Sequence, residues 1–116
     1  MSWRQTGVAL DTLRPGTTRE VVLGPYQVLL ARVGPLVFAV DGLCPHAGGP
    51  LVEGSLAGRR LECPVHGAVF DVASGEVRKD PFAIEPPRGG ATRLGCYPTR
   101  VVGGMVEVDL SPEKPD

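Results

Sequence analysis

Arg19-Glu20-Val21-Val22-Leu23-Gly24-Pro25-Tyr26-Gln27-Val28-Leu29-Leu30-Ala31-Arg32-Val33-Gly34-Pro35-Leu36-Val37-Phe38-Ala39-Val40 is the stretch that decides the fold class. It holds three β-type runs, 19–23, 26–33 and 36–40, parted by Gly24-Pro25 and Gly34-Pro35. Short apolar runs bounded by Gly-Pro pairs predict a β-meander. Toward the C-terminus, Val106, Val108 and Leu110 alternate with Met105, Glu107 and Asp109. That period of two predicts a strand with the first three side chains buried and the carboxylates in water. Gly103-Gly104, just after Arg100-Val101-Val102, reads as the turn of a closing hairpin. No stretch carries a convincing helical period, and 16 Gly with 12 Pro favour short strands joined by turns. The expectation is an all-β chain.

The chain has 116 residues, the length of one domain, and residues 1–116 are expected to form it. A formal net charge of −1 gives no electrostatic footprint for nucleic acid or an anionic membrane. The start, Met1-Ser2-Trp3-Arg4-Gln5-Thr6-Gly7, lacks the basic-then-apolar pattern of a secretory signal. No apolar run approaches the ~20 residues needed to cross a bilayer. A cytoplasmic location is therefore expected. Three cysteines in a reducing compartment read as metal ligands or free thiols rather than a disulfide framework.

The middle of the chain, about 41–87, differs from both ends: it is dense in Gly, Pro, Cys and His and reads as a loop-rich insert on the strand scaffold. Both histidines of the chain lie in it, each beside a cysteine, as Cys44-Pro45-His46 and Cys63-Pro64-Val65-His66. Proline after each cysteine stiffens the loop, and Gly48, Gly49 and Gly67 let the backbone turn sharply or approach a cofactor. Two thiolates and two imidazoles suit either tetrahedral Zn²⁺ or a [2Fe–2S] cluster in which cysteines hold one iron and histidines the other. C-x-H in one loop and C-x-x-H in another fit the second better: each loop can give a thiolate to one iron and an imidazole to its neighbour. A structural zinc-binding interaction module stays as the alternative.

Residues 41–77 resemble the cluster-binding region of Rieske proteins, with C-x-H and C-x-x-H-G in order, and residues 97–110 resemble the closing hairpin of Rieske ferredoxins. The resemblance implies a Rieske-like iron–sulfur fold: an antiparallel β-sandwich base bearing the cluster-binding insert, with one [2Fe–2S] cluster per chain. It implies Cys44 and Cys63 on the inner iron, and His46 and His66 on the outer, solvent-facing one. Respiratory and photosynthetic members have an extra cysteine in each loop, joined as a disulfide, where this chain has Gly49 and Val65. They also place a serine and a tyrosine, donors to the cluster sulfurs, where this chain has Ala68 and Phe70. Losing such hydrogen bonds lowers the reduction potential, so the resemblance is to the low-potential branch.

The implied function is that of a soluble one-electron carrier between an upstream reductase and a downstream oxygenase or reductase. A fixed small subunit of a nitrite-reductase-like complex is the alternative within the family. A mononuclear oxygenase iron needs further histidines and a carboxylate, and both histidines are already committed, so the chain is expected to carry electrons and not to transform a substrate. Rieske proteins cover the cluster with a proline-containing loop, matched here by Pro81 or by Pro86-Pro87. Outside the motifs, Cys96 reads as a structural thiol. Arg59-Arg60 reads as a solvated turn before the second loop, with guidance of an acidic partner as its alternative. Trp3 is expected to pack on the sheet, and Gly75-Glu76 to form a hairpin turn.

Overall fold

The computed structural model describes residues 3–45, 49–64, 67–79 and 93–111. Among the described residues eleven strands run in order: β1 (Trp3–Ala9), β2 (Thr18–Leu23), β3 (Tyr26–Val33), β4 (Leu36–Asp41), β5 (Ser55–Ala57), β6 (Arg60–Glu62), β7 (Val69–Asp71), β8 (Val77–Lys79), β9 (Cys96–Tyr97), β10 (Thr99–Val102) and β11 (Met105–Asp109). Helical structure among the described residues is limited to two 3₁₀ turns, Leu10–Thr12 and Leu51–Glu53. Among the described residues, no helix is long and apolar enough to cross a membrane.

The strands form three antiparallel sheets, ordered β1-β11-β10, β2-β3-β4-β9 and β5-β6-β7-β8. The meander read from the sequence is β2-β3-β4: Leu23 pairs with Tyr26 across Gly24-Pro25, and Val33 with Leu36 across Gly34-Pro35. Its sheet is covered on both faces, which explains why β3 carries four consecutive buried residues instead of an alternation. Val28 and Leu30 enter a core with Val8, Val21, Val106 and Val108, under the sheet that joins the two ends of the chain. Leu29 and Ala31 point the other way, into a second core with Cys44, Leu51, Leu61, Cys63, Ala68 and Phe70. The insert thus contributes its own small sheet, whose three-residue strands are too short to show a period in sequence.

The closing hairpin forms as expected, with Val102 paired to Met105 across Gly103-Gly104. Val106, Val108 and Leu110 are buried, but the expectation that Glu107 and Asp109 stand in water is wrong: both are buried. The reason is that β11 is the middle strand of its sheet, flanked by β1 and β10. Glu107 Oε1 accepts from Nε of Arg100, its cross-strand partner, at 2.7 Å. Asp109 Oδ1 accepts from the Ser111 N–H at 2.9 Å and its hydroxyl at 2.7 Å. Buried carboxylates persist only when paired in this way. Arg100 also lies over the Trp3 ring, 4.2 Å from its centroid, so Trp3 packs on the sheet as expected.

The β7–β8 connection is a hairpin, yet its turn is centred on 72–74, and Gly75 follows it. Asp71 N–H donates to Glu76 O at 2.9 Å and Gly75 N–H to Asp71 O at 2.7 Å, so Gly75 and Glu76 supply the groups that close the turn onto Asp71.

Candidate metal centre

The two motif loops are each headed by a cysteine of the second core. Of the first, Cys44, Pro45 and Gly49 are described and follow β4; of the second, Cys63, Pro64, Gly67 and Ala68 are described and lie between β6 and β7. They are closed by the same device. Cys44 N–H donates to Gly49 O at 2.9 Å, and Cys63 N–H donates to Ala68 O at 2.7 Å. In each case the cysteine heading the loop bonds to the carbonyl five residues on, so both cysteines sit at the fixed neck of a tight loop. An antiparallel bridge between Leu43 and Pro50 extends the first neck. Gly67, at φ +70, takes the left-handed backbone that the second loop needs to turn back, a conformation costly for other residues.

Cys44 is 2% exposed and Cys63 0%, and neither forms a disulfide. Both thiols therefore face the interior of one apolar core, beside Leu51, Leu61, Ala68 and Phe70. Ala68 and Phe70 are fully buried there and offer no hydroxyl. Two buried thiols, each heading a loop neck, are a donor set suited to a soft metal centre held from the protein side. His46 and His66 lie outside the described residues, as do Val65 and the expected covering prolines Pro81, Pro86 and Pro87.

The family model of the Rieske [2Fe-2S] domain matches residues 4–98, which spans both loops and the strands on either side. This chain belongs to the Rieske [2Fe–2S] domain family. Its cofactor is accordingly a [2Fe–2S] cluster, and the zinc alternative is set aside. This Rieske chain is 31% identical over 104 residues to the naphthalene 1,2-dioxygenase system ferredoxin component of Pseudomonas aeruginosa, covering 90% of this chain and 92% of the relative. Its fold is similar to a chain of the complex of reduced oxygenase and oxidised ferredoxin in carbazole 1,9a-dioxygenase. There the TM-score is 0.80, with 29% identity and 97% of each chain covered. It is also similar to a crystal structure of a Mycobacterium tuberculosis protein described as an NADH-dependent nitrite reductase small subunit. That match has a TM-score of 0.73 and 27% identity, covering 91% of this chain and 92% of the other.

Two carboxylates missed in the sequence support the Rieske loops. Asp71 ends β7, the strand that follows the second loop, and is 4% exposed. Its Oδ1 accepts from Ala73 N–H at 2.8 Å, while Arg78 and Arg59 approach Oδ2 at 3.2 and 3.4 Å. Burial pushes this carboxyl up, but the Ala73 N–H, Arg78, Arg59 and the Ser74 N–H outweigh it and hold it below its ordinary value. Arg59, read as a solvated turn residue, is thus an exposed cation anchored on a buried anion. Asp41 ends β4, three residues before Cys44. Its Oδ1 accepts from the Tyr97 hydroxyl at 2.8 Å, and its Oδ2 from Gly95 N–H at 3.0 Å. Burial, then this hydrogen bond, pushes the Tyr97 phenol up. No spacing rule marks Asp41, whose partners Gly95 and Tyr97 stand 54 and 56 positions away; Asp71 instead accepts from Ala73 N–H two residues on, the local pattern of an aspartate-led turn. Cys96 stands apart from the loops: half-buried, with its thiol pushed up by burial, it has the character of a structural thiol.

Proposed function

We propose that this chain is the ferredoxin of an oxygenase system, taking single electrons from an upstream reductase and delivering them to a terminal oxygenase. The observation that carries the reading is end-to-end similarity to a dioxygenase ferredoxin component, over 92% of that relative. Likeness to a ferredoxin seen in complex with its oxygenase supports the choice of partner. The cluster, when bound, takes up and releases one electron. The chain's own part is to hold it: Cys44 and Cys63 on the inner iron, and His46 and His66 on the outer iron toward solvent. The buried, disulfide-free thiols at equivalent loop necks support the cysteine half of this assignment. Ala68 and Phe70 line the same core without a hydroxyl, which favours the oxidised cluster and a low potential. We further infer one domain over 1–116 with the cluster-binding insert at about 41–87, and a cytoplasmic location.

Purified protein should be red-brown and contain two irons and two acid-labile sulfides per chain. Cys44→Ser or Cys63→Ser should prevent stable assembly, and spin-echo spectroscopy should detect two imidazole nitrogens, one fewer in His46→Cys or His66→Cys. A full cluster with native spectra in Cys63→Ser would refute the ligand assignment. A fixed nitrite-reductase-like subunit is the second reading, favoured by the likeness to the mycobacterial small subunit. Tight copurification with a large reductase subunit would select it over a free ferredoxin.

A further inference from the structure

The two cysteine loops belong to different sheets, so something must fix one relative to the other. The first is rooted in β4 and the second between β6 and β7. Residues 93–97 run between the two sheets and bond to both. Toward the second loop's sheet, Arg93 Nη2 donates to Ser74 O at 2.8 Å, and Leu94 N–H to Gly75 O at 2.8 Å. Toward the first loop's strand, Asp41 N–H donates to Gly95 O at 2.9 Å, Gly95 N–H to Asp41 Oδ2 at 3.0 Å, and Tyr97 Oη to Asp41 Oδ1 at 2.8 Å. Cys96 and Tyr97 then pair with Val40 and Ala39. Leu94 itself is 2% exposed and lies in the core that holds both loop cysteines.

We propose that residues 94–97 are a crosspiece that sets the spacing of the two cysteine loops, with Asp41 and Gly75 as the positioning residues at its two ends. The proposal rests on Cys44 and Cys63 being cluster ligands. Gly75 is required by contact as well as by backbone: at φ +77, a Cβ there would lie 2.0 Å from Leu94 O. The crosspiece therefore touches the β7–β8 turn with no room for a side chain between them. At the other end Asp41 spends both carboxylate oxygens on the crosspiece, one on a main-chain donor and one on a buried phenol. A one-electron centre gains from such rigidity, because ligands that keep their spacing need little rearrangement when the charge changes. Packing alone would give another signature: loss of an end would lower the unfolding temperature and leave the bound cluster as it was.

The test compares Gly75→Ala, Tyr97→Phe and Asp41→Asn with Gly58→Ala in the holoprotein. Gly58 has a positive φ of +59 in the β5–β6 turn but nothing within 4 Å of the added Cβ, so its variant carries the backbone strain without the clash. The reduced-state EPR g values and the rate of iron loss to a chelator are read beside the thermal transition. Gly75→Ala and Tyr97→Phe should shift the g values and release iron about tenfold faster, the low end of the cost of losing an outer partner of a metal site. Gly58→Ala should do neither. Should Gly75→Ala fail to fold, Tyr97→Phe decides, since it removes one hydroxyl from an otherwise intact chain. Wild-type g values and release rates in Tyr97→Phe and Asp41→Asn, or equal changes in Gly58→Ala, would overturn the proposal. Wild-type protein without a cluster would instead overturn the ligand reading.

Discussion

Replacing Asp71 by asparagine separates the charge of a buried group from its shape. The variant keeps an oxygen for the Ala73 N–H, which Asp71 Oδ1 accepts at 2.8 Å. It turns Oδ2 into an amide donor facing Arg78 and Arg59, which stand at 3.2 and 3.4 Å. A hydrogen bond to a charged group is worth about 1.5–3 kcal/mol. Here the figure is discounted, because the side chains of Arg78 and Arg59 are 39% and 58% exposed and can turn to water. The expected loss is about 1–2 kcal/mol near pH 7, or a thermal transition lower by about 4–8 °C in a chain of this size. The sign of the pH dependence follows from the depressed carboxyl. Its stabilisation is fully present above the unfolded value of about 3.9 and is lost as pH falls through the lower folded value. The gap between wild type and Asp71→Asn should hold constant from pH 8 to about 5 and narrow below about 4. Calorimetry of anaerobic holoprotein at one scan rate measures it. Equal stability at pH 7, or a gap that widens in acid, would refute the reasoning.

Phe70→Ala should cost about 3–5 kcal/mol in denaturant titration, since the ring is fully buried in the core beneath both loops. A loss below about 1 kcal/mol would mean that this core collapses around the cavity. Ala68→Ser and Phe70→Tyr should each raise the cluster's reduction potential from the lower part of a range of roughly −150 to +300 mV, by adding a donor where the chain has none; voltammetry showing no rise would remove the explanation for a low potential. In a double-mutant cycle, Arg100→Ala and Glu107→Ala should couple by about 0.5–1 kcal/mol, the upper part of the range for a half-exposed pair with good geometry. Zero coupling would leave the burial of Glu107 without its partner's support.

The sequence determined the parts whose causes are local. Gly-Pro pairs at fixed intervals define β2, β3 and β4, and Gly103-Gly104 defines the last hairpin, because a two-residue turn needs nothing beyond its own backbone. The two cysteine–histidine motifs were legible for the same reason: the residues proposed as ligands lie two and three positions apart, within one local stretch each. Only the tertiary structure decided which faces are covered. Period two in β11 correctly buried Val106 and Val108, but it could not show that β1 and β10 flank Glu107 and Asp109 and bury them too. The three-residue strands β5 to β8 are invisible to periodicity; they exist because Leu61 and Phe70 pack beneath the central sheet beside Leu29. The crosspiece is the furthest from sequence reach. Asp41 and Gly95 stand 54 positions apart, and Asp41 and Tyr97 stand 56 apart. Their hydrogen bonds exist only after the chain has folded back on itself, so no local pattern of residues can announce them.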